Sequence, residues 1–132
     1  MRKSLLLAID FDGTIVEDAY PKVGKAMPFA IETIKMLQED GHRVILWTYR
    51  HGQHLNEAVE FMERNGIAPY AVNSSYPEEN SYTGDVSRKI NADLFIDDRN
   101  FGGFPGWGVI YQRLNRKGES PGVKKRKWFQ RR

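Results

Sequence analysis

The chain has 132 residues, of which 40% are hydrophobic and 28% are charged, a composition typical of one soluble globular domain with a substantial core. It contains no cysteine, which excludes disulfides and thiolate-bound metals and leaves oxygen and nitrogen atoms as metal ligands. The net charge of +3 is unevenly distributed, because residues 113–132 carry nine Lys and Arg against one Glu, a net +8, which leaves −5 for the rest.

The first predicted element is a strand over Leu5–Ile9, an apolar run without polar alternation, as in a strand buried on both faces. The basic start before this run resembles a secretion signal. However, the apolar run stops at Asp10, shorter than the apolar region of a usual signal peptide, and no small-residue cleavage site follows. We therefore expect a cytoplasmic protein that does not associate with membranes.

The remaining predicted elements alternate between helices and strands. Apolar periodicity and turn residues predict a helix over 25–40, a strand over 43–48, a helix over 53–65, a weaker strand over 67–72, a loop over 74–85, a short helix over 86–91, a strand over 94–96 and a last strand over 109–111 before a short basic helix. This alternation predicts an α/β fold, a Rossmann-like parallel sheet with helices on both faces. We expect one domain over residues 1–116 and a basic tail over 117–132.

Acidic residues follow two of the predicted strands. Asp10 and Asp12 end the first strand, and Asp97 and Asp98 end the strand over 94–96, while Thr48 ends the second strand. Because ligands of such sheets bind beyond the carboxyl ends of the strands, we expect these side chains to converge there. Carboxylates this close repel one another unless a cation lies between them, and an all-oxygen ligand set suits Mg²⁺.

The order of these motifs resembles that of the haloacid dehalogenase (HAD) superfamily. DFDGT from Asp10 to Thr14 is similar to its first motif, the threonine of ILWT to its second, Lys89 to its third and the acidic pair of FIDDRN to its fourth. The resemblance spans about Leu5 to Arg99. It implies a HAD-type catalytic core, and because the loops over 13–24 and 74–85 are too short for an inserted cap domain, it implies a capless member.

The resemblance also implies a reaction, the Mg²⁺-dependent hydrolysis of a phosphomonoester. Asp10 would be the nucleophile that forms an aspartyl-phosphate. Asp12 would protonate the leaving oxygen and later deprotonate water, and its backbone carbonyl would bind Mg²⁺. An acid at this position favours phosphatases over dehalogenases of the superfamily. Phosphoryl transfer to an acceptor other than water stays open.

Four further residues receive roles from the resemblance. Thr48 would hold the phosphoryl oxygens, and Lys89 would offset the negative charge of nucleophile and phosphate. Asp97 and Asp98 would bind Mg²⁺ directly or through water, and the sequence does not decide which of the two is the direct ligand.

Two features bear on the substrate, which we expect to be a phosphorylated small molecule or a nucleic-acid end. Arg50, in a T-x-R motif after Thr48, resembles a residue of the phosphatase half of polynucleotide kinase-phosphatases and would bind phosphate. Trp128 and Phe129 lie among cations in the tail, a composition that suits phosphates and bases. The alternatives are therefore a polynucleotide 3′-phosphatase-like enzyme, or a phosphate- or nucleic-acid-binding protein with little turnover. The sequence leaves both a monomer and a homo-oligomer open.

Overall fold

A computed structural model describes residues 3–79 and 85–115. It contains β1 (Leu6–Ile9), α1 (Ala30–Glu39), β2 (Arg43–Leu46), α2 (Gly52–Arg64), β3 (Ala71–Val72), β4 (Leu94–Ile96) and α3 (Trp107–Leu114). The strands form one sheet in the order β3-β2-β1-β4, and every neighbouring pair is parallel. The predicted α/β, Rossmann-like fold class is confirmed.

The sheet topology places β1 at the centre of the candidate site. Ile9 pairs with Leu46 of β2 on one side and with Ile96 of β4 on the other. All strands run in the same direction, so the residues that follow these three positions emerge at one edge of the sheet. Asp10 therefore lies between the chain that continues from β2 and the chain that continues from β4.

One face of the sheet carries the main core. Alternate residues of β1 and β2 pack there against buried residues of all three helices, because strand side chains point to opposite faces in turn. The strand residues are Leu7, Ile9, Val44 and Leu46, and the helix residues are Ala30, Ile34, Leu37, Ala58, Met62, Trp107 and Ile110.

The opposite face differs from the expectation of helices on both faces. Ala8, Ile45 and Ala71 form a smaller cluster there, covered by Ile90 from the chain between β3 and β4. Within the described residues, no helix packs on this face. The reason is that the β1-α1-β2 and β2-α2-β3 connections step across the sheet in the same direction, and right-handed crossovers then place both helices on the same side.

Three predicted elements need correction. The first helix begins at Ala30 rather than at residue 25, because Ala26 forms an antiparallel bridge with Val16 and Phe29 has a φ of 66°. No helix forms over the described residues 86–91. Residues 109–111 are not a strand but part of α3, in which Trp107 and Ile110 are buried one helical turn apart.

The chain reaches its last described residue at the edge opposite Asp10. His42, just before β2, accepts a hydrogen bond at Nδ1 from the Leu5 amide (3.0 Å), and its Nε2 lies 3.1 Å from the carbonyl of Leu114. The predicted tail over 117–132 lies outside the described residues, as do residues 80–84 of the predicted loop. No helix in the described part of the chain is both long and apolar enough to cross a membrane.

Candidate functional site

Three of the predicted metal ligands come together at the carboxyl edge of the sheet. Asp10, Asp97 and Asp98 each offer a carboxylate oxygen, and these three atoms lie within 4.8 Å of one another. The backbone sets this arrangement, because the Asp10 amide donates to the carbonyl of Ile96 (2.9 Å) and so continues the pairing of β1 with β4.

The loop after β1 fixes the carboxylates relative to each other. The Thr14 hydroxyl, fully buried, lies 3.2 Å from Oδ2 of Asp10 and 3.2 Å from Oδ1 of Asp98. A hydroxyl has a single proton, so it can donate to only one of the two carboxylates at a time. Gly13 approaches Asp98 so closely that a Cβ placed on it would lie 2.8 Å from the carboxyl carbon.

The electrostatics of the cluster favour a cation. The pKa of Asp10 rises from 3.8 to about 7, first because burial disfavours its charge, then because of its hydrogen bond with Asp98 and the negative charge of Asp97. With a raised pKa, Asp10 is only partly ionised at neutral pH unless a positive charge lies nearby. The three carboxylates form an all-oxygen donor set of the kind that Mg²⁺ prefers, so the residues present fit this ion.

Thr48 lies at the end of the neighbouring strand, as predicted. The Trp47 amide donates to the carbonyl of Ile9 (2.9 Å), which brings the chain after β2 alongside the start of the acidic cluster. The backbone amide of Thr48 donates to Oδ1 of Asn73 (2.8 Å), and its hydroxyl oxygen accepts from the Arg50 amide (3.1 Å). Thr48 can therefore still donate its hydroxyl proton, for example to a phosphoryl oxygen.

Asp12 does not join the acidic cluster with its side chain. Its two carboxylate oxygens each accept a hydrogen bond of 2.8 Å from the guanidinium of Arg50. This contact separates the two aspartates of the first motif into different surroundings, Asp10 among carboxylates and Asp12 beside a cation.

The geometry does not support the predicted phosphate contact of Arg50. The residue is 1% exposed, and each of its five N–H donors has an acceptor within the protein. The acceptors are both carboxylate oxygens of Asp12 and the backbone carbonyls of Pro21, Lys22 and His54. No donor remains for a substrate.

Lys89 is also not brought to the carboxylates. Its side chain is exposed, and within the described residues it forms no ion pair with the cluster. The neighbouring Ile90 is buried on the second sheet face, and the Lys89 amide is held by Oγ of Ser87 (3.1 Å). Because residues 86–91 do not form the expected helix, the predicted placement of this lysine does not follow.

Sequence reasoning gave no role to two residues that hold the site together. Thr14 belongs to the DFDGT motif, so the motif itself is a signal that could have pointed to it. Trp107 of α3 donates its indole N–H to the carbonyl of Thr14 (2.8 Å) in a buried contact 93 residues away in the sequence. No local pattern indicates that contact.

Comparison with known proteins gave one informative match. A scan against protein-family models and a search of curated proteins found nothing similar. Among solved structures, a conserved protein from Bacteroides thetaiotaomicron is 50% identical, with a TM-score of 0.81. The similarity covers 89% of this chain and 94% of that one, so it includes most of the described fold.

Proposed function

We propose that this chain, which belongs to the same family as the conserved protein from Bacteroides thetaiotaomicron, is a Mg²⁺-dependent phosphomonoester hydrolase that acts through an aspartyl-phosphate. The observation that carries the proposal is the convergence of Asp10, Asp97 and Asp98 at the carboxyl edge of a parallel sheet. The resemblance of the motifs to the HAD superfamily supplies the reaction, and the arrangement of the carboxylates supports it.

Each side chain receives a role that its surroundings allow. Asp10 is the nucleophile, because its carboxylate lies beside two potential metal ligands and at the end of the central strand. Asp12, two residues later, has its carboxylate held in place and serves in proton transfer to the leaving group and from water. The Thr48 hydroxyl donates to a phosphoryl oxygen.

The reaction proceeds in two displacements at phosphorus. A carboxylate oxygen of Asp10 attacks phosphorus, and the bond to the leaving oxygen breaks with its electron pair on that oxygen, which takes a proton from Asp12. Water then attacks the phosphorus of the aspartyl-phosphate and gives a proton to Asp12, which restores the Asp10 carboxylate and releases phosphate. Asp10, Asp97 and Asp98 would hold Mg²⁺, and the ion would neutralise negative charge on the nucleophile and the phosphoryl group.

The first experiment measures hydrolysis of p-nitrophenyl phosphate with Mg²⁺ and with EDTA. We expect turnover that requires the metal and falls at least about 1,000-fold in Asp10→Asn, because the amide is a poor nucleophile and a weaker metal ligand. Glu63→Gln, the same chemical change at an exposed position of α2, is the matched control and should keep wild-type activity.

Two results would contradict the proposal. One is full activity of Asp10→Asn with its fold intact, since this residue carries the covalent step. The other is no turnover of sugar phosphates, nucleotides or 3′-phosphorylated oligonucleotides, together with Mg²⁺-dependent binding of any of them. That second result would favour the phosphate- or nucleic-acid-binding alternative.

A further inference from the structure

Arg50 is the largest fully buried side chain of the described residues, and its guanidinium joins three parts of the structure. It contacts Asp12 after β1, the loop over residues 17–25 through the carbonyls of Pro21 (3.1 Å) and Lys22 (2.8 Å), and the start of α2 through the carbonyl of His54 (3.1 Å). A lysine, with a single ammonium group, cannot reproduce this planar set of contacts.

The surroundings keep this guanidinium charged and fixed. Its central carbon lies 5.1 Å from the ring centre of Phe11 and 5.1 Å from that of Tyr20, so aromatic rings pack against it. The hydrogen bonds with Asp12 raise its pKa above the ordinary value. Its backbone amide is held as well, by Oγ1 of Thr48. Side chain and backbone are thus both restrained.

The same loop and helix also contribute residues to an open cleft. A cavity of about 380 Å³ is lined by residues of both, namely Pro21, Lys22, Val23, His54, Glu57, Glu60 and Arg64. Three of the five hydrogen bonds of Arg50 therefore end on the backbone of this cleft. A shift of the loop or of the first turn of α2 has to move the guanidinium, and Asp12 with it.

We propose that Arg50 is a positioning residue that fixes the Asp12 carboxylate to the 17–25 loop and to α2, so that the placement of this loop sets the orientation of Asp12. This inference rests on the proposed function and assigns Arg50 a role different from phosphate binding. It predicts that a displacement of this loop is transmitted to Asp12 through the hydrogen bonds of Arg50.

The experiment separates positioning from phosphate binding. In Arg50→Lys, kcat for p-nitrophenyl phosphate should fall about 30- to 100-fold, in line with the cost of a displacement near 1 Å, while KM changes less than about threefold. Binding of inorganic phosphate with Mg²⁺, measured by calorimetry, should also change less than about threefold, whereas Thr48→Ala weakens it by more. Arg43→Lys, the same chemical change at the exposed start of β2 and at the sheet edge opposite Asp10, is the control and should match the wild type.

A double-substitution cycle tests whether Arg50 acts through Asp12. In an Asp12→Asn background, Arg50→Lys should lower kcat by less than about threefold, because the carboxylate that it positions is already gone. An equal further loss in both backgrounds would overturn the proposal. So would a tenfold weakening of phosphate binding by Arg50→Lys, which would restore Arg50 as a substrate ligand.

A spectroscopic measurement decides the question independently of activity. The buried contact predicts a slowly exchanging Arg50 Nε–H resonance in ¹⁵N spectra that disappears or shifts in Asp12→Asn and is unchanged on addition of phosphate and Mg²⁺. A rapidly exchanging Nε–H would overturn the proposal even if the variants do not fold well enough for kinetics. If the wild type hydrolyses no phosphate ester, the proposed function fails, and the resonance still shows whether Arg50 fixes Asp12.

Discussion

The substitution Gly13→Ala tests the geometry of the acidic cluster with one added carbon atom. Gly13 has a φ of +87°, and a Cβ at this position would lie 2.8 Å from the carboxyl carbon of Asp98 and 3.3 Å from its Oδ1, with Oδ2 closer still. Carbon atoms in contact are normally separated by about 3.5 Å or more. The Asp98 carboxylate therefore has to retreat by at least about 0.7 Å.

A displacement of this size exceeds what Mg²⁺ coordination tolerates. Metal–ligand distances in proteins vary by only about 0.2 Å, and Mg²⁺ requires nearly ideal octahedral geometry. We expect Gly13→Ala to weaken Mg²⁺ binding at least about 10- to 100-fold, the range found when the support of a ligand is disturbed. Activity at limiting Mg²⁺ should fall in parallel and recover in part at high Mg²⁺.

A second glycine offers a matched control. Gly103 also has a φ of +87°, but a Cβ there meets nothing within 4 Å. Both alanine variants carry the same left-handed backbone strain of about 1–2 kcal/mol. The difference between their Mg²⁺ affinities, measured by calorimetry alongside thermal unfolding, therefore isolates the contact with Asp98. Equal Mg²⁺ affinities of the two variants would refute the assignment of Asp98 to the metal site.

Two further predictions concern the energetics of the same region. Because folding raises the pKa of Asp10 from 3.8 to about 7, its contribution to stability is complete below about pH 4 and is lost as pH rises through 7. In urea titrations without metal, the free energy of unfolding of the wild type should fall by about 1–2 kcal/mol more than that of Asp10→Asn between pH 5 and pH 8, a value reduced for partial exposure of the carboxyl. Added Mg²⁺ should abolish this difference. An identical pH dependence of the two proteins would contradict the raised pKa. Trp107→Phe removes the buried indole donor to the carbonyl of Thr14, so the free energy of unfolding should fall by about 1–3 kcal/mol. An unchanged unfolding midpoint would show that this carbonyl finds another donor.

The parts of the fold that depend on local periodicity could be predicted from the sequence. The apolar run before Asp10, the helix over 53–65 and the strand over 94–96 all appear near their expected positions, and their alternation was enough for the fold class. The strand ends then placed Asp10, Asp97 and Asp98 at one edge, because parallel strands share the direction of their carboxyl ends. This convergence follows from topology rather than from side-chain detail.

The predictions that failed depended on tertiary contacts. Residues 109–111 are β-branched and aromatic in composition, yet the burial of Trp107 and Ile110 against the core selects a helix. The first helix is shorter than predicted because Ala26 forms a bridge with Val16 rather than joining the helix. These residues are ten positions apart, and helical periodicity gives no sign of such a contact. The choice between strand and helix at residues 109–111, and between helix and bridge at Ala26, depends on what each side chain packs against, which the local sequence does not show.

The two aspartates of DFDGT show that predictions within the site also depend on tertiary contacts. Spacing alone treats Asp10 and Asp12 as a pair, and mutual repulsion then suggests one cation between them. The structure gives the two aspartates different surroundings. Asp10 lies beside Asp97 and Asp98, with no positive side chain in the cluster among residues 3–79 and 85–115, whereas both carboxylate oxygens of Asp12 accept hydrogen bonds from Arg50. The negative charge that a metal would have to balance is therefore that of three carboxylates, and the carboxylate of Asp12, paired with Arg50, is not one of them. This division is why removing Arg50 should disturb the orientation of Asp12 while leaving the cluster of Asp10, Asp97 and Asp98 able to bind phosphate with Mg²⁺.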